Sequence, residues 1–432
     1  MYLAIDLGST SFKAAVFTTD LQRVGSGEER VTHIYPGAGK VELPVDEAVI
    51  AFKVCIANAI ASAKISPESI TAIAITSQAQ TFTIMDADTG KCRISFRSWQ
   101  DERALPTCQQ VQGFAPWNSF SEIAGVSSLL PSLQAAMLLH LTRIENFALS
   151  PSDMLMPLPS YFVYLLSGCH VTDNNIAAMS GLYSLSAGTW WKEAVENCGF
   201  NTEQLPQLHD IGTVAAITGE MASELGLLSG IPIVLAGNDQ TAGAFGAEMS
   251  SGGVLATLGT ALVAYKVQDY LPEFNSNRIA IRGPYPDGKY FLLATDNNGG
   301  NVINWAVAIL GYGDDYQKFF TNALSAPHGS NGLVFTPDLT SGIGSWRNLS
   351  FYHTRADIAR SVMESIVARI GNLIMQLQPD KSQPVFLAGG GIKAAGWVDM
   401  LAQEIGIAVI PIQADPLLGA ARMTKRREMR EE

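Results

Sequence analysis

Apolar positions in this chain gather into short runs that stop at glycine-rich turns, alternating with stretches where they recur at helical spacing. Residues 2–6 form the first run and predict a buried strand. A second strand is expected over 12–18 and a third near 31–34. The period then changes. Val45, Val49, Phe52, Ile56, Ile60 and Ala63 share one helical face, and Pro44 suits a helix start, so 45–64 predicts a helix. The β-branched run at 70–76 and the run at 82–85 predict two more strands, the latter closed by the Asp88-Thr89-Gly90 turn. Residues 121–230 are expected to be rich in helix, broken by Pro and Gly, and to form one wall of a cleft.

The run at 231–236 predicts another buried strand, and beyond about residue 238 the plan recurs. Strands are expected at 253–257, 261–267 and 290–294, and helices at 302–310 and 354–377. The chain would end with a strand at 385–387, a glycine turn, a helix at 397–405, a strand at 408–410 and a terminal helix. The repetition is one of pattern, without close sequence similarity. It predicts an α/β protein of two ribonuclease-H-like domains, residues 1–237 and 238–432, with a cleft between them.

Composition narrows the functions open to such a chain. At 432 residues, with 47% hydrophobic and 16% charged residues, it can bury two cores. A formal charge of −12 argues against a broad nucleic-acid surface, which needs clustered Lys and Arg. The Lys425-Arg426-Arg427 cluster lies in a mixed-charge tail and reads as a solvated helix end. No apolar run reaches the roughly 18 residues of a membrane span. No signal peptide is visible, and Cys55, Cys92, Cys108, Cys169 and Cys198 form no Cys-x-x-Cys pair. Reduced thiols in a cytoplasmic protein are therefore expected. The six histidines show no metal-ligand spacing.

Three glycine-rich blocks carry the chemistry. Asp6-Leu7-Gly8-Ser9-Thr10-Ser11-Phe12-Lys13, Gly237-Asn238-Asp239-Gln240-Thr241-Ala242-Gly243 and Leu387-Ala388-Gly389-Gly390-Gly391 each follow a predicted buried strand, and Leu258-Gly259-Thr260 follows a fourth. Glycine at such a turn lets backbone N–H groups approach a phosphate closely. Any one block alone is as readily a tight turn. Several in one chain point to a nucleotide held between two halves. Asp239 at a strand end, among small residues, can serve as a base or simply cap the helix after it. Asp6 can organise Mg²⁺ or only stabilise its turn. Trp99 and Asp101 suit a sugar, whose C–H faces pack on rings and whose hydroxyls bond carboxylates, although most Trp residues are core. Gln78, Gln80 and Gln240 add neutral hydrogen-bonding groups of the kind a polyol needs.

In this order the blocks resemble the FGGY family of carbohydrate kinases, within the actin, hexokinase and chaperone ATPase superfamily. The pieces that carry the resemblance are residues 6–13, Trp99-Gln100-Asp101-Glu102-Arg103, residues 237–246, Gly259-Thr260, residues 299–305 and 389–391. The resemblance implies ATP-dependent phosphorylation of a sugar or polyol, with ATP and Mg²⁺ as cofactors and Asp239 as the base. It implies Asp6 at the metal. Gly8, Ser9, Thr10, Ser11 and Lys13, with Gly259 and Thr260 opposite, would hold the phosphates. Gly300 and Asn304 would lie near the nucleotide sugar, and Gly389, Gly390 and Gly391 near the adenine, followed by Ala394. Gln78, Ala79, Gln80, Trp99, Asp101, Arg103, Asp239 and Gln240 would face the acceptor. A homodimer is the family expectation.

The chain departs from the family at Ser77-Gln78-Ala79-Gln80-Thr81. Xylulokinase-like members carry Gln-Met-His-Gly there and glycerol kinases Gln-Arg-Glu-Thr. Loss of that Arg and Glu argues against glycerol. The altered loop also raises the alternative of a non-catalytic sugar- or nucleotide-sensing protein on the same fold, which the retained Asp6, Asp239 and Gly259-Thr260 oppose. A filament-forming or chaperone ATPase is a further rival.

Overall fold

The computed structural model describes residues 1–114, 117–127, 130–273, 280–338, 343–390 and 396–431. Two six-stranded sheets organise it. In the first, the strands run in the order Val214–Ile217, Pro232–Asn238, Ala72–Ser77, Tyr2–Leu7, Ser11–Phe17, Arg23–Arg30. The opening strand pairs antiparallel with Ser11–Phe17 and parallel with Ala72–Ser77. Pro232–Asn238 continues the parallel set.

Side-chain alternation gives this sheet two apolar faces. Leu3, Ile5, Phe12, Ala14, Ile73 and Leu235 pack with Phe52 of the Val45–Ala63 helix and Phe162 of the Leu158–Ser167 helix. Tyr2, Ala4, Ala15, Ala74 and Ala236 face the other way, into a core shared with Leu417, Ala420 and Ala421.

The third strand lies at Arg23–Arg30, not near 31–34. Its contact with the helix is made at Gly25 and Gly27. A Cβ on Gly25 would fall 2.5 Å from Ala59 O, and one on Gly27 2.1 Å from Cys55 O. A strand that packs through absent side chains has no hydrophobic period to read.

The second sheet runs Ile281–Tyr285, Lys289–Asp296, Leu262–Gln268, Val254–Leu258, Val385–Ala388, Val409–Pro411. Its first two strands in sequence are antiparallel, and Val385–Ala388 pairs parallel with Val254–Leu258, as in the first sheet. The Arg355–Gln376 helix covers one face through Val362, Met363, Ile366 and Ile370. Thr354 caps it with a reciprocal Asp357 bond, which matches the expected start. The edge strand Ile281–Tyr285, interrupted by Pro284, and the Tyr316–Ser325 helix were not foreseen.

The region 121–230 holds the Gln134–Arg143, Leu158–Ser167, Asn174–Ala178 and Lys192–Asn197 helices, together with strands of two to five residues. Such strands are too short to show alternation. Asp153–Pro157 among them joins Phe82–Asp86, Lys91–Cys92, Phe96–Arg97 and Glu42–Leu43 in a third, smaller sheet.

The terminal helix Pro416–Glu431, counted with the second half from sequence, returns to lie on the first sheet. It crosses the Asp239–Gly246 helix at two glycines: a Cβ on Gly419 would fall 1.8 Å from Ala242 O, and one on Gly246 2.7 Å from Asp415 O. Together these helices sit between the two sheets.

Candidate active site

Asp6 closes the opening strand opposite Lys13 on its neighbour. The turn Gly8–Ser9–Thr10 lies between them, and a Cβ on Gly8 would sit 2.9 Å from Ser11 O. Asp6 is buried, and its Oδ1 has no hydrogen-bond partner among the described residues. Burial, then Asp239, push its carboxyl up to about 7; Lys13 counteracts this and Asp415 adds to it. Ser11, expected at the phosphates, donates its hydroxyl hydrogen to Glu28 Oε1 at 2.5 Å.

Asp239 opens its helix behind Asn238, whose side chain caps Thr241 N at 3.0 Å. Capping is therefore the work of Asn238, and the Asp239 carboxylate is left to the cleft. Its Oδ1 accepts from Gln240 N at 2.8 Å and its Oδ2 from Gln240 Nε2 at 3.4 Å. Burial raises its proton affinity, while the Gln240 bonds and Lys13 lower it. Asp6, Lys13 and Asp239 therefore form one electrostatic unit at the shared end of the first sheet's strands. An orphaned, buried carboxylate oxygen beside a second carboxylate fits a hydrated Mg²⁺, which takes few protein ligands and keeps several waters. Among the described residues no group of three or more His, Cys, Asp or Glu is arranged to hold a metal by protein ligands alone.

The residues expected at the acceptor divide into two sets. Gln78 is anchored at the turn: its N donates to Leu7 O at 3.0 Å and its Nε2 to Gly8 O at 3.3 Å. Ala79 and Trp99 are half-buried. Gln80 has a left-handed φ of 70° and is held in place, its amide bonded to Met179 O and Ser132 Oγ.

Asp101 and Arg103 are buried and bonded to one another. Arg103 Nε bonds both Asp101 oxygens at 2.9 Å, and its other nitrogens reach Glu42 and Glu145. Arg97 joins the same carboxylates. Asp101 Oδ2 also accepts from Val41 N at 2.7 Å. This buried ion network braces the loop that carries Trp99, and its polar atoms are already committed.

On the second half, three backbone turns touch. Gly300 N donates to Gly259 O at 2.8 Å, a Cβ on Gly299 would lie 2.6 Å from Thr260 O, and one on Gly389 (φ 103°) 2.4 Å from Leu258 O. They line one end of a cavity of about 540 Å³, within the range of small-molecule sites. Of the residues expected at the nucleotide, Gly259, Thr260, Gly300, Asn304 and Gly390 line it. Gly391 and Ala394 lie outside the described residues. Sequence reading missed Tyr316, Gln317, Phe320 and Trp397, which complete the wall. Tyr316 Oη donates to Asn304 Oδ1 at 3.0 Å. Only the helical periods of 316–325 and 397–405 could have pointed to these residues.

The chain belongs to the FGGY family of carbohydrate kinases. The sequence model of the family's N-terminal domain matches residues 1–246 and that of its C-terminal domain residues 277–425. The two sheets are accordingly the cores of two actin-like ATPase domains, and the family is one of phosphotransferases with alcohol acceptors. A glycerol kinase of Brucella suis is 26% identical over 418 residues, covering 91% of this chain and 83% of that protein. A xylulose kinase of Staphylococcus epidermidis is 24% identical, covering 97% and 86%. The ligand-bound xylulose kinase structure from Lactobacillus acidophilus superposes with a TM-score of 0.91 at 23% identity, over 100% of this chain and 90% of that one. No helix among the described residues is long and apolar enough to cross a membrane.

Proposed function

We propose that the chain transfers the γ-phosphoryl group of ATP to a hydroxyl of a neutral sugar or polyol, with Asp239 as general base. The observation that carries this reading is the joint placement of Asp6, Lys13 and Asp239 at the shared end of the first sheet's strands, in a chain whose second half holds a cavity framed by glycine turns. Adenosine would occupy the 540 Å³ cavity, its sugar near Asn304. The turns at Gly8–Thr10 and Gly259–Thr260 would present N–H groups to the phosphates from opposite sides. Asp6, with Asp239 beside it, would hold Mg²⁺, which when bound neutralises charge on the polyphosphate. The acceptor oxygen forms a bond to the γ-phosphorus as the bond to the bridging oxygen of ADP breaks. The hydroxyl proton passes to Asp239, whose raised proton affinity suits a base.

Residues 1–237 would hold the acceptor and residues 238–432 the nucleotide, with the Asp239–Gly246 and terminal helices of the second stretch packed on the first sheet and so belonging to the first domain's core. Gln78, Ala79, Trp99 and Gln240 would contact the acceptor, with Gln80, Asp101 and Arg103 as the frame behind them. Both guanidiniums near this loop are bonded to carboxylates, which supports a neutral acceptor over an acidic one. The test is ADP release from Mg-ATP across ketoses, aldoses, polyols and sugar acids, with D-xylulose and glycerol included. Stimulation by a neutral compound that disappears in Asp239→Asn supports the reading. Stimulation that survives in Asp239→Asn removes the base assignment.

A further inference from the structure

Behind Asp239 a buried polar cluster joins the two domains. Asn175, on the Asn174–Ala178 helix, uses its Oδ1 to accept from Asn238 N at 3.0 Å, and Asn238 uses its Oδ1 to accept from Thr241 N at 3.0 Å. Because each carbonyl oxygen faces a backbone N–H, each amide nitrogen must point the other way. Both nitrogens then donate to Thr241 Oγ1, each at 3.0 Å. A hydroxyl has two acceptor places and one hydrogen. Asn238 Nδ2 also reaches Asn175 Oδ1 at 2.8 Å, and the Thr241 hydroxyl lies 2.6 Å from Tyr265 Oη in a hydrogen bond where either oxygen can be the donor.

Tyr265 belongs to the second sheet. It lies on Leu262–Gln268, the strand that leaves the Gly259–Ala261 nucleotide turn, and its ring stacks on Phe291 at 5.3 Å. Burial holds its phenol neutral. Thr241 is two residues from Asp239 in the first turn of the same short helix, and both Thr241 and Tyr265 are fully buried. The second domain grips the cluster at one more point, where Asn175 Nδ2 donates to Pro284 O at 2.7 Å.

We infer that Tyr265 is a positioning residue, whose hydroxyl ties the nucleotide-binding domain to the helix turn that aims the Asp239 carboxylate. The inference rests on the reading of Asp239 as the base. The hydrogen bond between Thr241 and Tyr265 fixes that turn against the strand that follows Gly259–Thr260. A shift of one domain against the other is then transmitted to Asp239. Misplacement of a reacting group by about 1 Å can cost about 100-fold in rate.

The experiment measures ADP release from Mg-ATP by the full chain, with D-xylulose, glycerol and water as acceptors. It compares wild type, Tyr265→Phe, Asp239→Asn and the double variant, with thermal unfolding alongside. The expected result for Tyr265→Phe is a kcat lower by about 10–100-fold, with KM values for ATP and acceptor within about twofold. In the Asp239→Asn background the same substitution should cause no further loss, because its effect passes through that carboxylate. Thr241→Val should reproduce the kcat loss, and Thr241→Ser, which keeps the hydroxyl, should recover most of it.

Wild-type kcat in Tyr265→Phe while Asp239→Asn is inactive overturns this inference and leaves the base assignment standing. An equal fractional loss in both backgrounds overturns it too, as does a loss that merely follows the unfolded fraction. Full activity in Asp239→Asn removes the base reading, and the inference with it.

Discussion

Five strands of each sheet share one order, with Val214–Ile217 added at one edge of the first and Ile281–Tyr285 at the opposite edge of the second; counted within those five, the sheets differ in what each strand end carries. The turn between the first two strands is Gly8–Thr10 in one domain and Gly259–Ala261 in the other. The fourth strand leads into Gln78–Gln80 in the first and into Gly389–Gly390 in the second. The fifth leads into Asp239 in the first and Asp415 in the second, each at the start of a helix, and those two helices cross at Gly246 and Gly419. Corresponding positions have thus diverged into unlike parts of one site. Residues 78–231 separate the fourth and fifth strands of the first sheet, where 389–408 suffice in the second. That long insertion is where an acceptor surface has room to form. The short connection leaves bare backbone around a cavity.

The sharpest break in the correspondence should be chemical. Asp239→Asn is expected to lower kcat by about 10²–10⁴-fold with near-native nucleotide affinity, since an amide keeps the shape but cannot take the proton. Steady-state ADP release and nucleotide titration check both halves of that statement.

The next effect is on stability and has the opposite sign. Burial and like charge raise Asp6 from 3.8 to about 7. Between those two values the folded chain keeps a proton that the unfolded chain has released, so unfolding free energy falls as pH rises through this window and is lowest above about 7. Asp6→Asn removes the charge. It should therefore be more stable than wild type at pH 8, by at most about 4 kcal/mol, with the difference closing toward pH 4. Mg²⁺ should narrow the gap at pH 8 by stabilising wild type alone. Melting curves at several pH values, with and without Mg²⁺, would reveal either trend; a variant less stable at pH 8 than at pH 4, relative to wild type, refutes it.

The second domain's fourth strand end allows a steric test. Gly389 has φ 103°, and its Cβ would meet Leu258 O at 2.4 Å. Gly389→Ala must strain the backbone by about 1–3 kcal/mol or push the turns apart. Either outcome falls on the nucleotide cavity, so ATP should bind about 10–100-fold more weakly, measured by calorimetry. A neighbouring substitution with open space, Gly390→Ala, should have a much smaller effect.

Much of this duplicated plan was legible in the chain. The helix at 397–405 and the strands at 82–85 and 290–294 lie where the apolar period placed them, because packing on one face writes that period into the sequence. The glycine turns were legible because glycine is required where backbones nearly touch, as at Gly300 against Gly259. Other features had no local signal. Arg23–Arg30 packs through glycines, and the terminal helix's return to the first sheet depends on Gly419 meeting Ala242, a contact between distant residues. Asp101 and Arg103 carried a family motif, yet the carboxylates that enclose them, Glu42 and Glu145, come from elsewhere in the chain. Tyr316 and Trp397 lie on ordinary amphipathic helices, and only the fold turns them toward the cavity.

The smallest expected effect separates the two aspartates at the fifth strand ends. Asp415 has the position of Asp239 but not its surroundings. Its Oδ2 is paired with Arg23, its Oδ1 accepts from Leu417 N at 3.0 Å, and the side chain is about one-third exposed. It acts as an ion-pair partner and helix cap, while in the first domain Asn238 caps the helix and the Asp239 carboxylate accepts from Gln240. Asp415→Asn keeps an oxygen for Leu417 N and weakens a partly exposed pair, so stability should fall by no more than about 1 kcal/mol. Its charge also contributes to the raised proton affinity of Asp6, so removing it should ease Asp6 ionisation and leave kcat near wild type. A kcat loss in Asp415→Asn as large as that in Asp239→Asn would mean that the two strand ends still share one chemical role.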